Sequence, residues 1–482
     1  MKLSKQKTTL SLMLAVALLA GLLSGCQWTP TGLGNTGANT IPSSDEFSSP
    51  TQSTTEEDAR QNYIGDFPPG WIPPEWIESW ENGWAAVPND TYYTVDLQWA
   101  IDKIQLPNAW DITTGSGTIR VGVIDSGVDA SHPELQNRVN EELSESFVSG
   151  VSPLDDPAGH GTHVAGIIAA QGNNGSGSTG VCWDVEIVSL RVSGNDNIPQ
   201  PSAVADAIES ANDKGIHILN LSLTLSGIST AEYSDLYNAI ADFEGLVICA
   251  AGNSGTINDH RANNDLFEIY PCNIRLSNLI SVGASTNTDT MWDYSHYGAT
   301  TVDIFAPGNS IMNCYPSDLC VAGACDSFTH NANGYHLMSG TSMAAPHVAG
   351  VAALLLSIHP ELTPAELKQV IMDNVDVILD ISYSSVFGDL CVSGGRLNAY
   401  KALTDSSIHN FGRWLDRDST YHSRTCSTCG YVEMRAHADS WDSLRSICTA
   451  CNRTGTITQP YAYPPTVDVA NACDDGCANG CA

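Results

Sequence analysis

Positive charge is scarce in this chain. Lys and Arg total 20 against 54 Asp and Glu in 482 residues, a formal net charge of −34. Such a surface repels phosphate backbones and anionic headgroups, which excludes nucleic acid as a partner. Long apolar runs are scarce as well. Leu10 to Leu23 is the most sustained, and it falls short of the roughly 20 residues a spanning helix needs. The apolar stretch Val348 to His359 is shorter still and reads as a core helix. Residues 27–87 show neither strand alternation nor helical period. Within them, Phe67-Pro68-Pro69-Gly70-Trp71-Ile72-Pro73-Pro74 cannot form a helix or a central strand. Cysteine, by contrast, is plentiful: 15 residues, a number that suits an oxidising compartment.

The N-terminus reads as an export signal. Lys2, Lys5 and Lys7 precede the apolar run, and Leu23-Ser24-Gly25-Cys26 follows it. This resembles a bacterial lipobox, which implies cleavage after residue 25 and a lipidated Cys26. The expectation is an extracytoplasmic membrane lipoprotein. Residues 26–87, rich in Thr, Ser, Pro, Gly and Trp, then form a tether.

Three segments carry the chemistry. Ile124-Asp125-Ser126-Gly127 ends an apolar strand, and His160-Gly161-Thr162-His163 opens a helix. Gly340-Thr341-Ser342-Met343-Ala344-Ala345-Pro346-His347 places a serine among small residues at the start of the long core helix. A serine hydroxyl is a weak nucleophile and needs an adjacent base. His160 can be that base, and Asp125 can hold its ring in the right tautomer. A helix N-terminus offers free N–H groups to an oxyanion. Asn253, in Ala250-Ala251-Gly252-Asn253 after the strand 246–250, can add a side-chain donor. His163 and His347 read as structural.

The order Asp, His, Asn, Ser in these motifs resembles the subtilisin family of serine peptidases over about Asn89 to Leu403. The resemblance implies catalytic Asp125, His160 and Ser342 and an oxyanion donor in Asn253. It also implies that substrate lies between Leu221-Ser222-Leu223 and Ala250-Ala251-Gly252, pairing through the main chain. Thr224 stands where the family's first wall usually has glycine, and Asn313 to Tyr335 replaces a short loop with a cysteine-bearing insertion. Both bear on specificity. A folded pro-domain, common in the family, has no matching strand pattern in residues 27–87. The resemblance further implies a structural calcium held by the Asp90, Glu134 and Asn174 side chains and the carbonyls of Gly172, Ser176 and Ser178. These are the hard oxygen donors calcium requires.

Strands read at 119–124, 186–192, 217–223, 246–250, 279–283 and 302–305, and helices at 160–171, 201–214, 231–243, 342–358 and 364–374. This alternation predicts an α/β fold with a doubly wound parallel sheet, in a catalytic domain spanning 88–404. Beyond it, Cys426-x2-Cys429 and Cys448-x2-Cys451 have the spacing of a structural zinc site. They predict a zinc-ribbon-like module over 405–456, with His422 and His437 as reserve ligands. Two disulfides are the alternative. A flexible tail, 457–482, holds Cys473, Cys477 and Cys481. The pairing of the remaining cysteines is not legible.

The expected protein is a monomeric, extracytoplasmic serine endopeptidase acting on peptides or proteins through an acyl-enzyme. The alternatives are a selective processing protease for one exported protein, or an inactive surface binding protein on the same fold.

Overall fold

The computed structural model describes residues 87–254, 262–319, 330–331, 334–380, 385–386 and 390–409, with pieces at 415–416, 421–428, 431–436, 441–442 and 447–448. Short helical turns over 91–110 lead into β1, Gly115–Asp125. There follow β2 (Glu145–Ser146), α1 (His160–Ala169), β3 (Asp184–Arg191), α2 (Pro201–Asp213), β4 (Ile218–Leu221), α3 (Thr230–Asp242), β5 (Leu246–Ala250), β6 (Leu279–Ser285) and β7 (Ile304–Pro307). Next come β8 (Ile311–Cys314), β9 (His330–Asn331), β10 (Tyr335–Met338), α4 (Thr341–Ile358), α5 (Pro364–Asp373), β11 (Asp376–Val377), β12 (Leu379–Asp380), β13 (Ser385–Val386), β14 (Gly395–Arg396) and α6 (Ala399–Leu403).

The main sheet has nine strands in the order β11-β14-β7-β6-β5-β4-β1-β3-β2. Every pairing in it is parallel except β11 with β14. The central strands are apolar on both faces, as parallel strands covered by helices on both sides must be. Val121 and Val123 of β1 join Ile187, Ile218, Ile248 and Val282 in a core shared with α1 and α4. Ile124, Val188, Leu190, Leu219 and Val247 point the other way, into a core shared with α2 and α3. Each such side chain taken from water contributes about 1.5–3 kcal/mol. The expected doubly wound sheet is therefore what forms.

Helix starts follow local chemistry. Ser229 and Glu232 form a capping box on α3, and Thr363 and Glu366 do so on α5, with Pro364 in its first turn. α4 is the one described helix long and apolar enough to cross a bilayer, and 89% of it is buried inside the protein, so it is a core helix.

At the described ends of the insertion before Ser342, β8, β10 and β9 form a three-stranded antiparallel sheet in the order β8-β10-β9. Past α6, a hairpin pairs β16 (Tyr421–Thr425) with β17 (Val432–Ala436). β15 (Leu415–Asp416) lies beside β16, and β18 (Trp441–Asp442) pairs with β19 (Ile447–Cys448). Cys26, Cys429 and Cys451 lie outside the described residues, as does the side chain of Cys448.

Candidate active site

Asp125 is the last residue of β1, and β1 lies between β3 and β4, where the connections run out to opposite sides of the sheet. Ligand sites in open α/β sheets form at this switch, outside the carboxyl ends of the strands. His160 opens α1 after Gly159, whose φ of +71° suits glycine. A cleft of about 220 Å³ here is lined by Asp125, His160, Asn253 and Ser342, with Thr224 and Leu223 on one wall.

The His160 Nδ1 lies 2.8 Å from Asp125 Oδ1. The Asp125 carboxyl is buried, and its Oδ1 also accepts from the Ser126 amide at 2.7 Å. Oδ1 as acceptor puts the proton on Nδ1 and leaves Nε2 with its lone pair toward the cleft. Burial pulls the imidazole down, but the charge and hydrogen bond of Asp125, with Asp156 behind, outweigh it. The ring is held above the ordinary histidine range.

Sequence reasoning missed Asp156. It is 4% exposed and accepts from the Thr162 amide (2.8 Å) and hydroxyl (2.7 Å), the Gly159 amide (2.9 Å) and the Ser126 hydroxyl (2.7 Å). It thus ties the start of α1 to the residue after Asp125. Burial pushes its carboxyl above the usual carboxylate range, against these hydrogen bonds. The available signal was an acidic residue four positions before His160.

Ser342 sits in the first turn of α4. Pro346 has no N–H, so it cannot take up the Ser342 carbonyl four residues back. The Ser222 hydroxyl donates to that carbonyl instead, at 2.7 Å. In return the Ser342 hydroxyl donates to the Ser222 carbonyl at 3.1 Å. Asn253 Oδ1 accepts from the Thr341 amide at 2.8 Å and its hydroxyl at 3.0 Å, which turns the Nδ2 donor away from Thr341. A Cβ on Gly340 would stand 3.4 Å from Asn253 Nδ2 and 3.6 Å from the Ser342 amide. The missing side chain keeps the space between those two donors open.

The two expected substrate walls are adjacent. Ser222, Leu223, Thr224 and Ala250 line the cleft, whereas the Leu221 and Ala251 side chains are in the core. Gly252, at φ +112°, packs against the His296 ring. Val192, Ser193, Asn197 and Pro199, from the segment after β3, complete the lining and left no signal in the sequence. His163 and His347 are buried in the helix cores, and burial lowers them to about 3 and about 4. Cys182, Cys249, Cys272, Cys314 and Cys391 are buried thiols outside any disulfide.

Of the residues expected at calcium, Asp90, Glu134 and Asn174 lie together. Asp90 and Glu134 are 0% and 1% exposed, and neither pairs with a cation among the described residues. Asp90 accepts from the Asn173 amide at 2.7 Å, while Glu134 accepts from Asn174 Nδ2 and the Tyr335 hydroxyl, each at 2.8 Å. Burial raises both carboxyls. The carbonyls of Gly172, Ser176 and Ser178 receive no hydrogen bond from the described residues. No three His, Cys, Asp or Glu side chains converge among the described residues, so a cation here depends on amide and carbonyl oxygens as well. Cys426 is buried at the turn of the β16–β17 hairpin, where its amide donates to the Tyr431 carbonyl at 2.8 Å.

Known proteins share this chain's sequence pattern and fold. Residues 116–408 match the sequence model of the Subtilase family. The chain is 35% identical over 320 residues to the thermophilic serine proteinase of Bacillus sp. (strain AK1), spanning 66% of this chain and 70% of that protein. It is 34% identical over 316 residues to thermitase of Thermoactinomyces vulgaris, spanning 66% of this chain and 99% of that one. A solved protease from Pseudoalteromonas arctica PAMC 21717 superposes with a TM-score of 0.54 at 28% identity, covering 66% of this chain and 99% of its own.

Proposed function

The chain belongs to the subtilase family and is a serine endopeptidase, and on that premise we propose that Asp125, His160 and Ser342 are its catalytic triad and Asn253 its oxyanion donor. The observation that carries this reading is the 2.8 Å bond from His160 Nδ1 to Asp125 Oδ1, in a cleft that also holds Ser342. Substrate lies extended between the Ser222–Thr224 and Ala250–Gly252 walls. The Ser342 hydroxyl leaves the Ser222 carbonyl and attacks the scissile carbonyl as His160 Nε2 takes its proton. The oxyanion is met by Asn253 Nδ2 and the Ser342 amide. His160 then gives its proton to the leaving amine, and water repeats the sequence on the acyl-enzyme.

A fluorophosphonate probe tests the assignment. It should label Ser342 and fail on Ser342→Ala. Labelling that survives the substitution refutes the nucleophile, and no labelling of the active-folded chain points to the inactive binding protein. A selective processing role finds support in Thr224 on the cleft wall and in the insertion sheet that leads directly into Ser342.

Calcium fits the Asp90–Glu134 site, because two buried carboxylates without a cation and open carbonyls form a hard oxygen donor set. When bound, the ion supplies only structural support. Zinc on Cys426, Cys429, Cys448 and Cys451 is proposed from their spacing. The tight turn at Cys426 favours it, since such turns bring paired thiolates onto one tetrahedral ion. The proposed organisation is a signal over 1–25, a tether over 26–87, the peptidase domain over 88–404, the ribbon over 405–456 and a tail over 457–482. In this reading lipidated Cys26 anchors the enzyme outside the cytoplasm, and Cys26→Ser should release it from the membrane fraction.

A further inference from the structure

A second serine–histidine pair lies directly behind the oxyanion loop. The Ser254 hydroxyl is 2.5 Å from His296 Nε2, and His296 Nδ1 is 2.8 Å from Asn264 Oδ1. Asn264 and His296 are 1% and 4% exposed. The roles in this chain are fixed by Asn264. Its Nδ2 donates to the Ala251 carbonyl at 2.9 Å, so its Oδ1 is the atom facing His296. The His296 Nδ1 must therefore carry a proton, and in the neutral ring Nε2 accepts from the Ser254 hydroxyl.

The same histidine holds the loop on its other side. Its amide donates to the Gly252 carbonyl at 2.9 Å, and a Cβ on Gly252 would come within 2.9 Å of its ring. Gly252 and Ser254 are the two neighbours of Asn253. The backbone of Asn253 is bridged to Ser295, and the Ser254 amide donates to the Tyr294 carbonyl at 3.2 Å. Among the described residues the Asn253 side chain is held only by Thr341, through Oδ1. Its Nδ2 is an exposed donor on a loop, and an oxyanion donor works only if its direction is set before the charge develops.

We infer that His296, oriented by Asn264, is a positioning residue that clamps Gly252 and Ser254 and so aims Asn253 Nδ2 into the oxyanion site. The inference deepens the assignment of Asn253 above and rests on it. His296 touches no reacting atom. Loosening it lets the donor sample directions away from the oxyanion, which weakens transition-state binding more than ground-state peptide binding.

The experiment is a double-mutant cycle on the purified chain with a chromogenic peptide. Ser254→Ala and His296→Phe should each lower kcat by about 5–30-fold, below the roughly 10²–10³ cost of losing the donor outright. KM should stay within about twofold, the pattern of an interaction made in the transition state. In the Asn253→Ala background the same changes should move kcat by less than about twofold. Ser254→Thr, which keeps the hydroxyl, should retain most of kcat. Full losses that persist without Asn253, or losses seen only in KM, overturn the clamp. A chain whose kcat is indifferent to Asn253→Ala refutes the oxyanion assignment itself. Should His296→Phe fail to fold, the Ser254 series decides alone, because that side chain is exposed.

Discussion

Tyr335 donates its hydroxyl to Glu134 at 2.8 Å, across 201 positions of sequence. Tyr335 opens β10, and Gly340 and Ser342 follow within one turn of its end. The oxygen cluster proposed for calcium is thereby joined to the strand that leads into Ser342.

Chelation should therefore destabilise the folded chain. A ligand at 100 times its Kd adds about 2.7 kcal/mol, which for a domain of about 300 residues is about 4 °C in Tm. Calorimetry with and without chelator measures the shift. Glu134→Gln should lower Tm in calcium and erase the difference between the two conditions. A wild-type Tm that ignores chelator removes calcium from this site.

Activity should fall in acid with a midpoint above the ordinary histidine value of about 6.5. His160 must be unprotonated to take the Ser342 proton, and Asp125 favours the protonated ring. The rate therefore rises with pH through a raised pKa. Asp125→Asn should cut kcat by about 10⁴ and move the midpoint of the kcat/KM profile downward. A midpoint that stays in place would show that another group governs the limb.

Stability should also drain away in acid through rings outside the cleft. Burial lowers His347 to about 4, whereas an unfolded histidine titrates near 6.5. Between these values the unfolded chain binds the extra proton, so stability falls as pH falls, by up to about 1.4 kcal/mol per pH unit. The His347 Nδ1 donates to the Met343 carbonyl at 2.8 Å, a bond that Gln can imitate. Urea melts at several pH values should give His347→Gln a shallower slope than wild type. Equal slopes would assign the acid loss to other groups.

The proposed ribbon should carry about one zinc per chain by elemental analysis. A core this small rarely offsets chain entropy without metal or disulfides. Cys426→Ser with Cys429→Ser should remove the metal while peptide hydrolysis survives. Two intact disulfides and no zinc by mass spectrometry would reject the site.

The sequence was most readable where chemistry forces a local pattern. Asp125 closes an apolar run, His160 follows a positive-φ glycine, and Ser342 sits in the first turn of a long buried helix. The helix read at 364–374 forms as α5, started by its Thr363 cap. Strand boundaries were blurred at polar ends: β1 starts at Gly115, ahead of the apolar residues from Ile119. What stayed hidden depends on side chains meeting across the fold. Nothing local links Ser222 to the carbonyl that Pro346 releases, His296 to Ser254, or Tyr335 to Glu134. Asp156 is the intermediate case, close to His160 in sequence yet informative only once Ser126 and Thr162 are seen around it.

Two glycines set how this site tolerates change. A Cβ on Gly161 would lie 2.0 Å from the Gly127 carbonyl oxygen and 3.1 Å from the Asp125 Cβ, and one on Gly127 would lie 2.2 Å from the Asp155 carbonyl oxygen. The backbones bearing Asp125 and His160 thus touch main chain to main chain, with no side chain to act as a spacer. In a saturation screen, every substitution at 127 or 161 will score like loss of the triad, although neither residue lines the cleft. Improvement by selection must leave this crossing untouched and work through the cleft walls, where Thr224 and Leu223 have room to vary.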